Sequence, residues 1–311
     1  MISIIICSIN KILLEQLKLN IEHTIGVPFE IIAIDNKGTG NGICKVYNEG
    51  GKRATFSILC FLHEDTLFAT NDWGRLVLEH FKDSSIGLLG IAGGDTKGIV
   101  PSSWSTSFKS NEVNLIQHDT TGNNASRHIL ITEDKRLAVT KEVVALDGVF
   151  LCTRKQIFNR FTFDETNLTG FHGYDIDYSL QLFGRYGIIV AFDILIHHFS
   201  EGKPDKDWVN SAVIVSKKWN KKLPFSVHAL SVAEYNFYHW MALQIFLEKL
   251  LRLQYNYTTI LSYYLRFSFT RYFKVRRFLS MGKYVLLSIY KKPYKNKQSI
   301  TAHGVEETVF R

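Results

Sequence analysis

Proline is scarce in this chain, with 5 among 311 residues against 21 glycines. That excludes collagen-like and Pro-rich low-complexity classes. Cysteine is scarce too. Four cysteines in 311 residues exclude a disulfide-stapled scaffold, and Cys7, Cys44, Cys60 and Cys152 form no C-x-x-C pair. Three of the four lie in apolar, strand-like runs, and the leading reading is buried, reduced thiols, with disulfides or metal ligands as the alternative. No stretch reaches the ~18 uninterrupted apolar residues of a membrane span. The opening MISIIICSIN lacks a basic start and a small-residue cleavage site, so the expectation is a cytoplasmic protein.

Several motifs are missing as well. There is no G-x-x-x-x-G-K-[ST], and no G-x-G-x-x-G follows the first strand-like run, which argues against a P-loop ATPase and a standard dinucleotide dehydrogenase. There is no G-x-S-x-G, which argues against an α/β-hydrolase. Acidic residues nearly vanish from the C-terminal quarter. Residues 1–229 hold 24 Lys+Arg and 25 Asp+Glu, whereas residues 230–311 hold 13 and 4. The formal charge of +8 therefore belongs to the end of the chain. A uniformly basic nucleic-acid binder is excluded, and no nucleic-acid motif is present.

What is present is an alternation of short apolar runs and helical patterns. Ile2–Cys7, Phe29–Ile34, Phe56–Leu62 and Ile86–Gly90 read as buried strands. Lys11–His23, Cys44–Arg53 and Trp73–Phe81 between them read as helices. Such an order predicts an α/β fold with a mainly parallel sheet and helices on both faces. Residues 92–140 lack periodicity and read as an elaborated loop region. Val143–Thr153 reads as a strand, Lys155–Arg160 and Gly173–Phe183 as helices, Ile188–Ile196 as a strand and Asp207–Trp219 as a helix. In sheets of this kind ligands bind beyond the carboxyl ends of the strands. Those ends carry Ser8 and Asn10, Asp35 and Asn36, and His63-Glu64-Asp65, which should line one crevice.

Four constellations have chemical potential. His63-Glu64-Asp65 offers carboxylates for a hard divalent cation, Mn²⁺ or Mg²⁺; an ordinary acidic turn is the alternative. In Gly170-Phe171-His172-Gly173-Tyr174-Asp175-Ile176-Asp177, two acids stand two residues apart at a helix start. They cannot share a helix face, so one can serve as a general base while the other caps or buttresses. Both serving the helix N-terminus is the alternative. His197-His198 ends the last strand of the sheet and can complete a metal shell or contact a phosphate; a polar strand end with one ring packed inward is the alternative. Leu146-Asp147-Gly148 offers a hydrogen bond to a sugar hydroxyl and a close backbone approach; a bulged strand is the alternative. Lys203, Lys217 and Lys218 are candidate phosphate neutralisers.

In this order, together with Val46-Tyr47-Asn48-Glu49-Gly50-Gly51 and Phe163-Asp164-Glu165, these segments resemble a GT-A-fold glycosyltransferase of the family 2 type. More narrowly, they resemble the branch related to the StrF protein of streptomycin biosynthesis. The likeness spans about residues 1–225. It implies a nucleotide-diphosphate sugar donor, UDP-linked, and a divalent cation. His63-Glu64-Asp65 would stand at the Asp-x-Asp motif, with His63 replacing its first Asp and Asp65 matching its last, metal-binding carboxylate. Ser8, Asp35 and Asn36 fall where the family contacts base and ribose, and His63 and Glu64 join them at the donor. Asp175 falls where the family's base deprotonates the acceptor hydroxyl. His198, or His197, falls near a histidine that some relatives use on metal or diphosphate. Asp147, Gly148, His172 and Tyr174 are then placed toward the acceptor.

The expected organisation is a nucleotide-sugar-binding catalytic domain over 1–229 and a basic, aromatic-rich helical tail over 230–311. The tail suits helices lying on the inner membrane face, or helices packed on the catalytic body or in an oligomer interface. The leading reading is an inverting, metal-dependent transferase that builds a polysaccharide on a glycan or lipid-linked acceptor. A catalytically silent sugar-nucleotide or glycan-binding subunit is the alternative. A nucleotidyltransferase ranks below both, because Ser8-Ile9-Asn10-Lys11 lacks the glycines of its usual loop.

Overall fold

The computed structural model describes residues 1–118, 125–132, 138–200, 202 and 204–290. Lys203 and residues 291–311 of the tail lie outside the described residues. The chain opens as β1 (Ile2–Ser8), α1 (Lys11–Thr24), β2 (Phe29–Asp35), α2 (Ile43–Arg53), β3 (Ile58–His63), β4 (Thr66–Phe68), α3 (Trp73–His80) and β5 (Ile86–Gly90). Short strands follow: β6 (Ala92–Gly94), β7 (Thr96–Lys97), β8 (Asn111–His118), β9 (Ser126–Ile131), β10 (Thr140–Glu142), β11 (Ala145–Leu146) and β12 (Phe150–Arg154). The remainder is α4 (Lys155–Phe158), α5 (Tyr174–Leu182), β13 (Gly187–Ala191), β14 (Ile196–His198), α6 (Lys206–Trp219), β15 (Phe225–Ser226), α7 (Val232–Arg252), α8 (Tyr257–Ser268) and α9 (Val275–Tyr290).

The main sheet has the order β10-β13-β5-β12-β3-β1-β2. β2, β1, β3, β5 and β13 run in one direction, while β12 and β10 run against it. The sheet is therefore mainly parallel, as the alternating pattern predicts. Its central strands are apolar at consecutive positions because both faces are covered. Ile5, Leu59 and Phe61 point to a core shared with α2, α4, α5 and α6. Ile4, Ile6, Cys60 and Leu62 point to the opposite core, shared with α1 and α3. This alternation follows from the two-residue repeat of a strand.

Three expectations are corrected. The aperiodic stretch from 92 to 140 contributes β6, β8 and β9 to a second sheet, β11-β6-β8-β14-β4 with β9 against β8, which β4, β11 and β14 complete. The pattern was hidden because β8 buries Asn111, Glu112 and Asn114 among its apolar residues. The single strands predicted for Val143–Thr153 and Ile188–Ile196 each break in two, and in both cases the halves belong to different sheets. The break in the first is Asp147-Gly148-Val149. Finally, Cys60 and Cys152 face each other directly across β3 and β12 and are joined as a disulfide. They are buried as expected but not reduced. A sequence separation of 92 residues concealed an antiparallel register that only the folded sheet creates. Cys7 and Cys44 are free thiols.

The tail begins at a capping box, in which the Ser231 hydroxyl and the Glu234 carboxylate satisfy each other's backbone amides at the start of α7. Trp240, Leu243, Phe246, Leu247, Ile260, Tyr264, Phe267, Met281 and Val285 form a third core between α7, α8 and α9. Val209 and Val213 of α6 and Val100 join it, which seats the three helices on the α/β body. No helix among the described residues is long and apolar enough to cross a membrane.

Candidate active site

The candidate residues converge at the carboxyl ends of β1, β2 and β3, together with the start of α5 and the end of β14. Glu64 closes the first two strand ends together. Its carboxylate accepts from the Ser8 hydroxyl at 2.7 Å and from the backbone amides of Ile9 and Asn10. Asn10 then caps α1 by accepting from Ile12 and Leu13. Ser8 and Glu64, both predicted at the donor, thus spend these hydrogen bonds on shaping the floor of the crevice. Asp35 is exposed and accepts from the Lys37 amide at 3.0 Å. Asn36 donates its backbone amide to Ser8 and its side-chain amide to the Asn41 carbonyl, which holds the β2 loop beside β1.

His63, Asp65 and His198 bring one ligand atom each within 4.8 Å of one another. His63 Nδ1 lies 4.0 Å and His198 Nε2 lies 3.8 Å from Asp65 Oδ1. The other nitrogen of each histidine is occupied. His63 Nε2 lies 2.7 Å from the Tyr174 hydroxyl, which itself donates to the Gly148 carbonyl. The hydroxyl has one proton, so His63 must donate through Nε2, and its Nδ1 lone pair points toward Asp65. Gln117 donates its amide to the carbonyls of His118, His198 and Ser200. Its oxygen is thereby turned to His198 Nδ1 at 3.3 Å, so His198 donates there and Nε2 is the nitrogen that faces Asp65. Two imidazoles, each held through its other nitrogen, and one carboxylate make a donor set that fits a divalent cation. Burial lowers the His63 pKa below its ordinary value, which favours its neutral form.

The sequence pattern places His63 at the donor; the structure places it with the metal-ligand candidates Asp65 and His198. His197 lies on the other face of β14, with Nδ1 2.9 Å from His118 Nε2. The Tyr174 ring is buried and its hydroxyl is engaged with His63 and Gly148. It therefore orients a histidine and does not present that hydroxyl to an acceptor. Gly148 does allow a close approach, though the approaching group is this tyrosine: a Cβ at 148 would stand 2.0 Å from its hydroxyl oxygen.

Asp175 sits in the first turn of α5 and accepts from the backbone amides of Gly148, at 3.1 Å, and Ile176, at 2.9 Å. Burial, helped by the nearby Asp147 charge, pushes its pKa up to about 7, the range in which a general base works best. Asp147 accepts from the Val149 amide and from the indole of Trp104 at 2.5 Å. Asp177, two residues on, is buried and accepts from Trp219 Nε1, Lys218 and Gln181. Lys218 also binds Asp164 and so buttresses α5 against α6. A polar cleft of about 380 Å³ lies against that group, lined by Asn48, Lys52, Asp164, Glu165, Gln181 and Lys218 among others. His172 stands 3.7 Å from Asp205, the residue that caps α6.

Sequence reasoning missed Gln117, Trp104 and Lys97. All three lie in the aperiodic stretch, where no spacing marks them. Lys97 is buried and donates to the carbonyls of Ser102 and Ser103 and to the Ser102 hydroxyl, anchoring the segment that carries Trp104 to Asp147.

Comparison with known proteins gives three findings. The sequence model of a glycosyltransferase-like family matches residues 3–223. No curated protein matches the chain. Among solved structures, the chain is similar to GalNAc-T7 with UDP, GalNAc and Mn²⁺, at 11% identity and a TM-score of 0.50, over 93% of this chain and 58% of that one. This chain thus spans less than two thirds of that structure, and the likeness is one of fold. The mannosyltransferase PcManGT from Pyrobaculum calidifontis, in complex with GDP-Man and Mn²⁺, aligns at 10% identity over 93% of this chain and 86% of that one, with a TM-score of 0.42.

Proposed function

The chain belongs to the glycosyltransferase-like family, and on that premise we propose that it moves a sugar from a UDP-linked donor to a glycan or lipid-linked acceptor, with inversion at the anomeric carbon. The observation that carries this reading is the backbone of Gly148, which is hydrogen-bonded at both its amide and its carbonyl. Its amide donates to Asp175, and its carbonyl accepts from Tyr174, whose hydroxyl holds His63. One glycine therefore ties the candidate base to the candidate cation site.

In the proposed reaction the acceptor hydroxyl gives its proton to Asp175. Its oxygen bonds to the anomeric carbon on the face opposite the diphosphate, and the bond from that carbon to the phosphate oxygen breaks. No covalent intermediate with the protein is needed. His63 Nδ1, Asp65 and His198 Nε2 would hold Mn²⁺ or Mg²⁺. A bound divalent cation supplies positive charge at the departing diphosphate. Asp35 and Asn36 lie at the β2 end, where contact with base and ribose is assigned. Asp147 and His172 are assigned to the acceptor side. Residues 1–229 form the proposed catalytic domain and 230–311 its helical extension. Assignment to the StrF-related branch and to polysaccharide assembly rests on the motif order alone.

The test is a thermal-shift titration with UDP-linked sugars, with and without Mn²⁺, after chelation. A donor at 100 times its Kd should add about 2.7 kcal/mol of stability, and only with metal present. Absence of a shift with every UDP-linked sugar would overturn the donor assignment. A shift without any turnover, in the presence of acceptor glycans, would favour the silent binding subunit.

A further inference from the structure

Residues 249–290 contain eight Lys and Arg and no Asp or Glu. They include α8 and α9, and the two faces of these helices differ in kind. On α8, Ile260, Tyr264 and Phe267 are buried, while Tyr257, Leu261 and Leu265 are exposed at i, i+4 and i+8. On α9, Met281 and Val285 are buried, while Val275, Leu279, Leu286, Leu287 and Tyr290 are exposed. The connecting turn adds Phe269 and Phe273, exposed and stacked on each other at 5.3 Å. Leu279 and Leu286 are 62% and 64% exposed, and it is their grouping with other exposed large apolar side chains, not the exposure of any one leucine, that marks an interaction surface. The third core is already complete without them, so these side chains are not needed to hold the hairpin together. Arg266, Arg271, Lys274, Arg276 and Lys283 are exposed among them.

An apolar stripe flanked by cations, with no anion in the segment, is complementary to one kind of surface: an apolar layer beneath anionic headgroups. A second copy of this chain would bring the same positive charge against it. Nucleic acid would satisfy the charge but leave the leucines and phenylalanines in water. Because no described helix can span a membrane, contact must be lateral. We infer that α8 and α9 with their connecting turn form a membrane-docking foot that lies in the headgroup region of an anionic bilayer. Docking itself does not depend on the transfer reaction. The consequence that it presents the crevice to a lipid-linked acceptor rests on the proposed function.

The test uses the full chain in vesicle flotation, without donor, on phosphatidylcholine vesicles with and without phosphatidylglycerol. The chain should float with the anionic vesicles only and be released by salt. Lys274→Gln, Arg276→Gln and Lys283→Gln combined should weaken partitioning about fivefold per charge. Leu279→Ser with Leu286→Ser should abolish flotation although every charge remains. All five positions are exposed, so neither variant threatens the fold, and unchanged melting temperatures check this. Failure of the full chain to float on anionic vesicles overturns the inference. So does a vesicle-free dimer in sedimentation that the leucine variant dissociates, or binding of single-stranded nucleic acid that the leucine variant leaves intact. Donor thermal shifts are measured separately, so loss of docking and loss of the transferase reading are told apart.

Discussion

The Tyr174 hydroxyl lies between His63 Nε2, at 2.7 Å, and the Gly148 carbonyl, at 3.0 Å. Because the carbonyl takes the tyrosine's only proton, the histidine is left with one tautomer and a lone pair aimed at Asp65. Gln117 imposes the same discipline on His198 from the other side. Removing such a support typically costs 10–100-fold in metal affinity. Tyr174→Phe and Gln117→Leu should each raise the Mn²⁺ dissociation constant by about that factor, as read from the free-Mn²⁺ signal in electron paramagnetic resonance. If neither substitution changes Mn²⁺ affinity, the cation is not held by these histidines.

Gly148→Ala tests the same arrangement from below. The added methyl would meet the Tyr174 hydroxyl at 2.0 Å and its ring carbons within 3.0 Å, and the ring, packed in the core, has little room to retreat. Overpacking of this kind costs about 1–3 kcal/mol, measurable by urea unfolding. Mn²⁺ affinity should fall together with stability, since Tyr174 cannot move without releasing His63. A variant with full stability and full Mn²⁺ affinity would show that the glycine is dispensable.

The α/β class was legible because dry strands with short connections leave a strong local trace: Ile2–Ile6 and Ile58–Leu62 are apolar at nearly every position. The positions of His63, Asp65, Asp175 and His198 followed from the rule that strand ends and helix starts face the crevice. What could not be read were relationships created by pairing across the sheet. Cys60 meets Cys152 only because β12 runs against β3. Gln117 reaches His198 only because β8 lies beside β14. The role of Tyr174 depended on a contact 26 residues away with the carbonyl of Gly148, to which sequence spacing carries no clue. The exposed face of α9 was equally hidden, because its leucines look the same in sequence whether they pack inward or outward.

Asp177 and Asp175 differ by two positions and should differ in every measurement. Asp177 accepts from the Trp219 indole at 2.8 Å and from Lys218 at 2.9 Å, with its side chain almost wholly buried. Asp177→Ala strands both donors between α5 and α6. Breaking a buried pair by removing one partner costs about 3–5 kcal/mol, and the lower end is expected here because Lys218 keeps Asp164. Urea unfolding should show that loss, while donor affinity of the folded fraction stays near wild type. A variant as stable as wild type would remove Asp177 from its buttressing role.

Asp175→Asn should do the reverse: transfer falls by about 10²–10⁴-fold while donor binding persists. In the wild type the rate should rise with pH and level off above about 7, as the carboxyl loses its proton; in the variant the residual rate should be flat across that range. Stability follows with the opposite sign. Burial raises the folded pKa from 3.8 to about 7, so the charged form is the one the fold disfavours. The penalty is absent below about pH 4, grows as pH rises, and is complete above about pH 7. Asparagine never carries that charge. Melting temperatures taken without metal or donor should therefore show Asp175→Asn above wild type at pH 8, with the gap narrowing at pH 5. A variant that melts below wild type at pH 8 would mean that the Asp175 carboxylate stabilises the fold, and the strain expected of a buried base would be absent.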